Sequence, residues 1–380
     1  MNFICISYYL ASKWENILKI KIILLGYFAF IISMSNALAE DMTIVSWGGA
    51  YTASQQAAYH EPYAAITGVN IINIDSSGNA VVKLRAMSEA GNVIWDVVDT
   101  LAEDALLLCD EGLAMKIDAD TQLADAPDGT KAKDDFGNFL INDCFIPQMV
   151  YSTTFGFRKD LVGSNTPTSV CSVFDTATYP GKRSLEKRPI NNMEWALMCD
   201  GIAKRDVYDV LATDEGQDRA FAKLDTIKSN IIWWSEGEDT PKLLADGKVI
   251  MGSAYNSQLF ILIEEQGQNV DMLWDSQIFG LFGLIIPDGL SNERKTRALD
   301  FVYFSTESQR LADQAKYISY GPARKSSAPL VSKHATLGID MSLHMPTDPD
   351  NAKNTLLYNY SFWADYYDEI DAKFQAWLAR

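Results

Sequence analysis

Histidine is nearly absent from this chain. Its 380 residues hold three, His60, His334 and His344, far apart and without metal-ligand spacing. His60-Glu61-Pro62 begins like a zinc-binding helix, but no second histidine follows it. Asp118-Ala119-Asp120 lacks the glycine that a calcium loop needs at its sixth position. There is also no Gly-x-Gly-x-x-Gly turn, no Gly-Lys-Ser/Thr phosphate loop and no Gly-x-Ser-x-Gly elbow, so the sequence signatures of dinucleotide, nucleotide and serine-hydrolase chemistry are missing. No cofactor, metal or catalytic residue is expected. The rival reading is a secreted hydrolase in which two of the many carboxylates flank a sugar.

Basic charge is short as well, with 32 Lys and Arg against 50 Asp and Glu and a net charge of −18. Such a surface makes nucleic acid a poor partner. Long apolar runs are absent after the first 40 residues. At the N-terminus, Lys13, Lys19 and Lys21 precede the apolar stretch 22–32, then Ser33-Met34-Ser35-Asn36 and Ala37-Leu38-Ala39. A basic region, an apolar stretch too short to span a bilayer comfortably and a small-x-small site read as a secretory signal peptide over 1–39, cut before Glu40. An uncleaved anchor is the alternative. Removal of those residues leaves 29 basic and 49 acidic residues, net −20. The expected mature protein is soluble, periplasmic and monomeric.

Cysteines are few. Cys5 leaves with the signal peptide, and Cys109, Cys144, Cys171 and Cys199 remain in an oxidising compartment with three possible pairings. The first two and the last two fall in different expected domains, so Cys109–Cys144 and Cys171–Cys199 are the expected bonds. Free buried thiols are the alternative.

What the chain does have is a 48% hydrophobic content and a mean hydropathy of −0.07, enough for a sizeable core in two domains. From residue 42 the pattern alternates: strand 42–46, helix 52–67 interrupted near Pro62 and stopped by Gly68, strand 69–74, helix 80–90, strand 95–98, helix 104–110. This βαβαβα order predicts a parallel sheet with helices on both faces. Strands at 145–151 and 153–157 lead into a second α/β unit, and the apolar run 277–286 returns to the first. The expected architecture is α/β with two lobes, hinge crossovers and a ligand cleft between them: 40–150 plus 279–330, and 151–278 plus 331–380. In the last helix Trp363, Tyr367, Ile370, Phe374 and Trp377 recur at three- and four-residue spacing, a stripe for packing rather than ligand binding.

The chain is organised around Ser46-Trp47-Gly48-Gly49-Ala50-Tyr51, which closes the first strand and opens the first helix. Glycines there let backbone approach a ligand, and ligands of open α/β sheets sit beyond the carboxyl ends of strands. Trp47 in the core is the alternative. Trp47, Tyr51, Trp95, Trp233, Trp234, Tyr255 and Trp274 all lie near strand ends. Rings with one or two carboxylates hold ammonium groups, at about 0.5–2 kcal/mol per cation–ring contact. The candidate carboxylates are Asp99, Glu194, Glu236 and Asp275.

Trp47-Gly48-Gly49-Ala50-Tyr51, Lys83-Leu84-Arg85-Ala86-Met87, Trp95-Asp96-Val97-Val98-Asp99, Pro180-Gly181-Lys182-Arg183, Trp233-Trp234, Leu244-Ala245-Asp246-Gly247 and Tyr320-Gly321-Pro322 occur in the order seen in the spermidine/putrescine-binding proteins of ABC importers. Over 42–378 the chain resembles that family. The resemblance implies a periplasmic binding protein with two hinged lobes that delivers a small-molecule amine to an inner-membrane ABC permease. It further implies that Trp47 and Tyr51 are first-lobe aromatics of the ligand site, that Tyr255 replaces a second-lobe tryptophan and that Asn256 follows it. Cys109 and Cys144 resemble a cysteine pair of related members.

The acid positions depart from that pattern. Gly280 and Phe282 stand where polyamine binders carry a tryptophan and an aspartate, and Pro189 and Asn192 stand at their second-lobe acids. An ammonium facing Phe282 instead of a carboxylate loses about 4 kcal/mol at ~4 Å in an effective dielectric near 20, on the order of a thousandfold in affinity. The expected ligand is a polyamine if Glu194 or Asp275 supplies the missing acid, and otherwise a shorter or zwitterionic amine. An amino acid, a quaternary amine or an organic acid is the alternative within the same role. A ligand-loaded partner for a chemoreceptor would need no different site.

Overall fold

A computed structural model describes residues 41–380; the expected signal peptide and Cys5 lie outside the described residues. Eight strands of a ten-stranded sheet run in the order β2-β1-β3-β8-β4-β7-β5-β6, and the two-residue strands Gly321–Pro322 and Leu356–Leu357 pair with β4 and β8 off that path. They are β1 (Asp41–Ser46), β2 (Asn70–Asp75), β3 (Val97–Leu101), β4 (Ile146–Arg158), β5 (Arg183–Glu186), β6 (Ile231–Trp234), β7 (Met251–Tyr255) and β8 (Val270–Ile285). The trio β2-β1-β3 is parallel, and so is β7-β5-β6. Between them β8 and β4 pair antiparallel with each other, β8 also with β3 and β4 also with β7.

Two parallel α/β halves are therefore joined by a pair of long strands. One large apolar cluster gathers around β1, β3 and the ends of β4 and β8, and a second gathers around β5, the other ends of β4 and β8, and the last helix. Each half buries its own core, and the shared strands give a two-lobed molecule a place to bend.

The sequence reading separated 145–151 from 153–157 and began the returning run only at 277. Each place instead holds one unbroken strand, β4 and β8. Thr153/Phe155 marks a register shift between them, and Ser276 takes a positive φ of 57° in the bulged stretch of β8. A bulge reads as a break in sequence because side-chain alternation is lost there, while the strand itself continues.

The first helix, α1 (49–67), begins at Gly49, earlier than composition suggests. Its interruption is a π turn, Gln56–His60, just ahead of Pro62. The extra residue of that turn leaves both Tyr59 and His60 buried. Gly68, at φ 76°, closes the helix in the left-handed conformation that glycine adopts without a Cβ penalty. The other helices that position the cleft are α2 (Ala80–Glu89), α3 (Ala102–Asp110), α4 (Asn192–Cys199), α5 (Asn256–Phe260) and α6 (Tyr360–Leu378).

Both disulfides join the pairs expected: Cys109 with Cys144, and Cys171 with Cys199. They close loops of sequence separation 35 and 28, each worth roughly 3–4 kcal/mol in the chain-entropy view. In α6, Trp363, Ile370, Phe374 and Trp377 are buried, as the spacing predicts. Among the described residues no helix is long and apolar enough to cross a membrane.

Candidate ligand-binding cleft

Ser46 ends β1 and Gly48, at φ 89°, turns the chain into α1. A side chain at 48 would be strained and would crowd the Asp75 carboxyl at 3.2 Å, which explains the glycine. The turn places Trp47 and Tyr51 beside Asp99, which lies in neighbouring β3. The Trp47 indole donates to Asp99 Oδ1 at 2.8 Å, and the Tyr51 hydroxyl to Oδ2 at 3.0 Å. Gln55 Nε2, one turn further along α1, also donates to Oδ2, at 2.6 Å.

Asp99 is fully buried, and that burial pushes its carboxyl up to about 7 against the opposing pull of its three donors. Its accepting capacity is directed at protein donors. Its role in the structure is to aim the indole and the phenol.

Those two rings continue into a wall. Phe282 on β8 lies 5.7 Å from Trp47 and 4.7 Å from Tyr51 by ring centroids; Tyr320 lies 5.5 Å from Phe282, and Tyr151 on β4 lies 4.9 Å from it. Tyr255, at the end of β7, meets Tyr151 edge-on at 5.9 Å. The wall thus runs from the carboxyl end of β1 to the carboxyl end of β7. Trp47, Tyr151, Tyr255 and Phe282 each keep part of their surface uncovered.

A charged group borders the wall. Arg188 follows β5, its Nε 2.8 Å from Glu186 Oε2. Burial works against the Arg188 charge, but Glu186 first, then Tyr255 and Tyr151, raise its pKa. Glu103, in the first turn of α3 on the other half, is pushed up to about 7, mainly by burial and then by Asp104, with Arg188 pulling the other way. After burial, Glu103 is the strongest influence raising the pKa of the Tyr151 hydroxyl, which Arg188 opposes. An acid from one half and a base from the other therefore both act electrostatically on the same tyrosine.

The remaining candidates lie elsewhere. Glu194, in α4, is fully buried, accepts from Trp363 Nε1 at 2.8 Å and Tyr208 at 3.4 Å, and is pushed up to about 7 by burial. It ties α4 to α6. Asp275 accepts from the Val170 backbone at 2.9 Å and from Asn354 at 2.7 Å, which anchors the chain after the first crossover. Asn256 is buried: Oδ1 accepts from Ser152 N at 3.0 Å and Nδ2 donates to Ser319 O at 2.5 Å, pinning α5 beside β4. Trp95 is buried in the core, Trp233 packs on Phe374 and Trp377, and Glu236 is exposed. The sequence reading did not single out Gln55, Glu103, Tyr151, Glu186 or Arg188, and it named Tyr320 only within a family motif. Glu103, Glu186 and Arg188 sit at or just beyond strand ends, the rule that found Trp47, but charged residues there carry no aromatic flag.

The bacterial extracellular solute-binding protein family matches residues 58–339. The gamma-aminobutyric acid-binding protein of Pseudomonas aeruginosa is 32% identical over 346 residues, 91% of this chain and 93% of that protein. The solved structure of a GABA receptor is 32% identical and superposes with a TM-score of 0.74, covering 90% of this chain and 98% of that one. A spermidine/putrescine substrate-binding protein of Streptococcus pneumoniae shares the fold at a TM-score of 0.70, with 14% identity over 89% of this chain and 99% of that one.

Proposed function

The chain belongs to the bacterial extracellular solute-binding protein family, as a solute-binding protein of an ABC importer and not an enzyme, and from that premise we propose that its solute is a short zwitterionic amine of the γ-aminobutyrate class. The observation that carries this reading is Arg188 at the edge of the aromatic wall. A guanidinium matches a carboxylate, while the faces of Trp47, Tyr51, Phe282 and Tyr151 suit an ammonium and a short methylene chain. Glu103, on the other half and pushed up to about 7 by burial, supplies a carboxyl that an ammonium would help to ionise.

A polyamine is the weaker reading. Glu194 and Asp275, the acids that would replace the missing carboxylate, are engaged away from the wall, and a diamine offers nothing to Arg188. The relatives at 32% identity are named for γ-aminobutyrate, which favours the zwitterion.

In this reading the lobes divide near 150/151 and 278/279, residues 1–39 are removed on export, and the mature monomer closes over its solute in the periplasm. Titration calorimetry of residues 40–380 with γ-aminobutyrate, putrescine, spermidine, a quaternary amine and a dicarboxylate tests the assignment. The expected result is tightest binding of γ-aminobutyrate, with putrescine at least a hundredfold weaker. Putrescine binding as tightly as γ-aminobutyrate would overturn the zwitterion and restore the polyamine.

A further inference from the structure

Tyr151 and Gly280 face each other across the β4–β8 ladder. A Cβ placed on Gly280 would stand 2.1 Å from Tyr151 Cζ and 2.4 Å from its hydroxyl oxygen, so the outer half of the phenol lies directly on the bare backbone of residue 280. No side chain larger than hydrogen at 280 is compatible with that ring position. The phenol is held on three sides, by Phe282 at 4.9 Å, Tyr255 at 5.9 Å and Tyr320 at 6.2 Å.

Through Phe282 the ring is continuous with Trp47 and Tyr51, and its hydroxyl end feels Glu103 and Arg188. It lies on β4 opposite β8, the two strands that the lobes share, and Arg188 acts on its hydroxyl electrostatically.

We propose that Tyr151, seated on Gly280, sets the upper length of solute that the closed cleft accepts. This rests on the reading of the cleft as the solute site and adds to it the residue that selects by length. A solute reaching from Arg188 to the Trp47 face must lie along the phenol, and each further methylene must push against a ring that has no room to sink into β8. Rejection of one added methylene by a packed wall is worth roughly 10–200-fold.

The test is calorimetry of the wild type, Tyr151→Ala, Tyr151→Leu and Tyr151→Phe. The ligands are two series run in parallel, ω-amino acids of three to six carbons and α,ω-diamines of the same lengths. Melting and circular dichroism report folding, and the leucine variant keeps a buried apolar side chain should alanine fail to fold. In whichever series binds, the expected wild-type profile falls at least tenfold beyond its best length. The alanine or leucine variant moves the optimum to a longer solute, and the phenylalanine variant keeps the wild-type profile. An unchanged optimum in folded alanine and leucine variants overturns the length role and leaves the solute assignment standing. Binding confined to diamines overturns the zwitterion assignment while the length profile still decides the role of Tyr151. No binding in either series overturns both.

Discussion

Asp99 and Glu194 are nearly the same device in two places. Each is a fully buried carboxyl that accepts from an indole N–H at 2.8 Å and from a phenol, and each is pushed up to about 7 by burial. They differ in where the donors lead. Around Asp99, Trp47 stays partly uncovered and meets Phe282 edge-on, so the carboxyl orients a ring of the candidate cleft. Around Glu194, Trp363 is buried against Phe362 in the second core, so the carboxyl fastens the last helix to α4. In the proposed reading, the same chemistry serves recognition in one lobe and folding in the other. On the proposed reading, the second lobe brings Arg188, paired with Glu186, to the cleft.

Four experiments press on that contrast. The largest effect is expected at Arg188: replacement by Ala leaves Glu186 buried without its partner and removes the carboxylate anchor, lowering γ-aminobutyrate affinity at least a hundredfold by calorimetry. Arg188→Lys recovers only part of it, because an ammonium cannot offer the guanidinium fork. Next, Asp99→Ala frees Trp47, Tyr51 and Gln55 from their common acceptor and is expected to weaken binding about thirtyfold, whereas Glu194→Gln changes binding less than about twofold and acts instead on the melting temperature. Equal binding losses from the two would erase the distinction.

Third, Trp47→Ala is expected to weaken binding at least tenfold with melting nearly unchanged, and Trp47→Phe to weaken it less, since a ring face remains. A large melting drop would return Trp47 to the core.

The smallest effect is on pH. Asp99, Glu103 and Glu194 titrate near 7 when folded, above their ordinary values of 3.8 for Asp and 4.5 for Glu. Between those values the folded chain holds more protons than the unfolded one, so stability falls as pH rises through about 5 to 7. Melting is therefore expected a few degrees higher at about pH 5.5 than at about pH 7.5. The Asp99→Asn/Glu194→Gln double variant should flatten that slope, and an unchanged slope would remove these carboxyls from the account.

The comparison also marks how far sequence reading reaches. A tryptophan and a tyrosine bracketing two glycines at the end of a β-branched run are legible because local chemistry dictates strand, turn and helix there. The pairing of four cysteines followed from domain order. Asp99 and Glu194 were indistinguishable as letters, both acids near aromatics. Their separation depends on Trp363 arriving from a segment 169 residues downstream of Glu194 and on Trp47 lying 52 residues upstream of Asp99. Arg188 carried no local mark, because its meaning comes from Tyr151 and Glu103, which other elements deliver.

Alternation, turn residues and cysteine count by themselves determined two α/β halves, the aromatic turn at 47–51 and the packed stripe of the last helix, since each follows from interactions within a few residues or from the bulk need to bury apolar surface. Only the tertiary structure decided which buried carboxyl holds the indole of Trp47, that Arg188 beyond β5 pairs with Glu186, and that a glycine on β8 makes room for a phenol on β4. Those are contacts between distant segments, and the field or volume at such a point is the sum of what several strands bring there, which no single stretch of sequence contains.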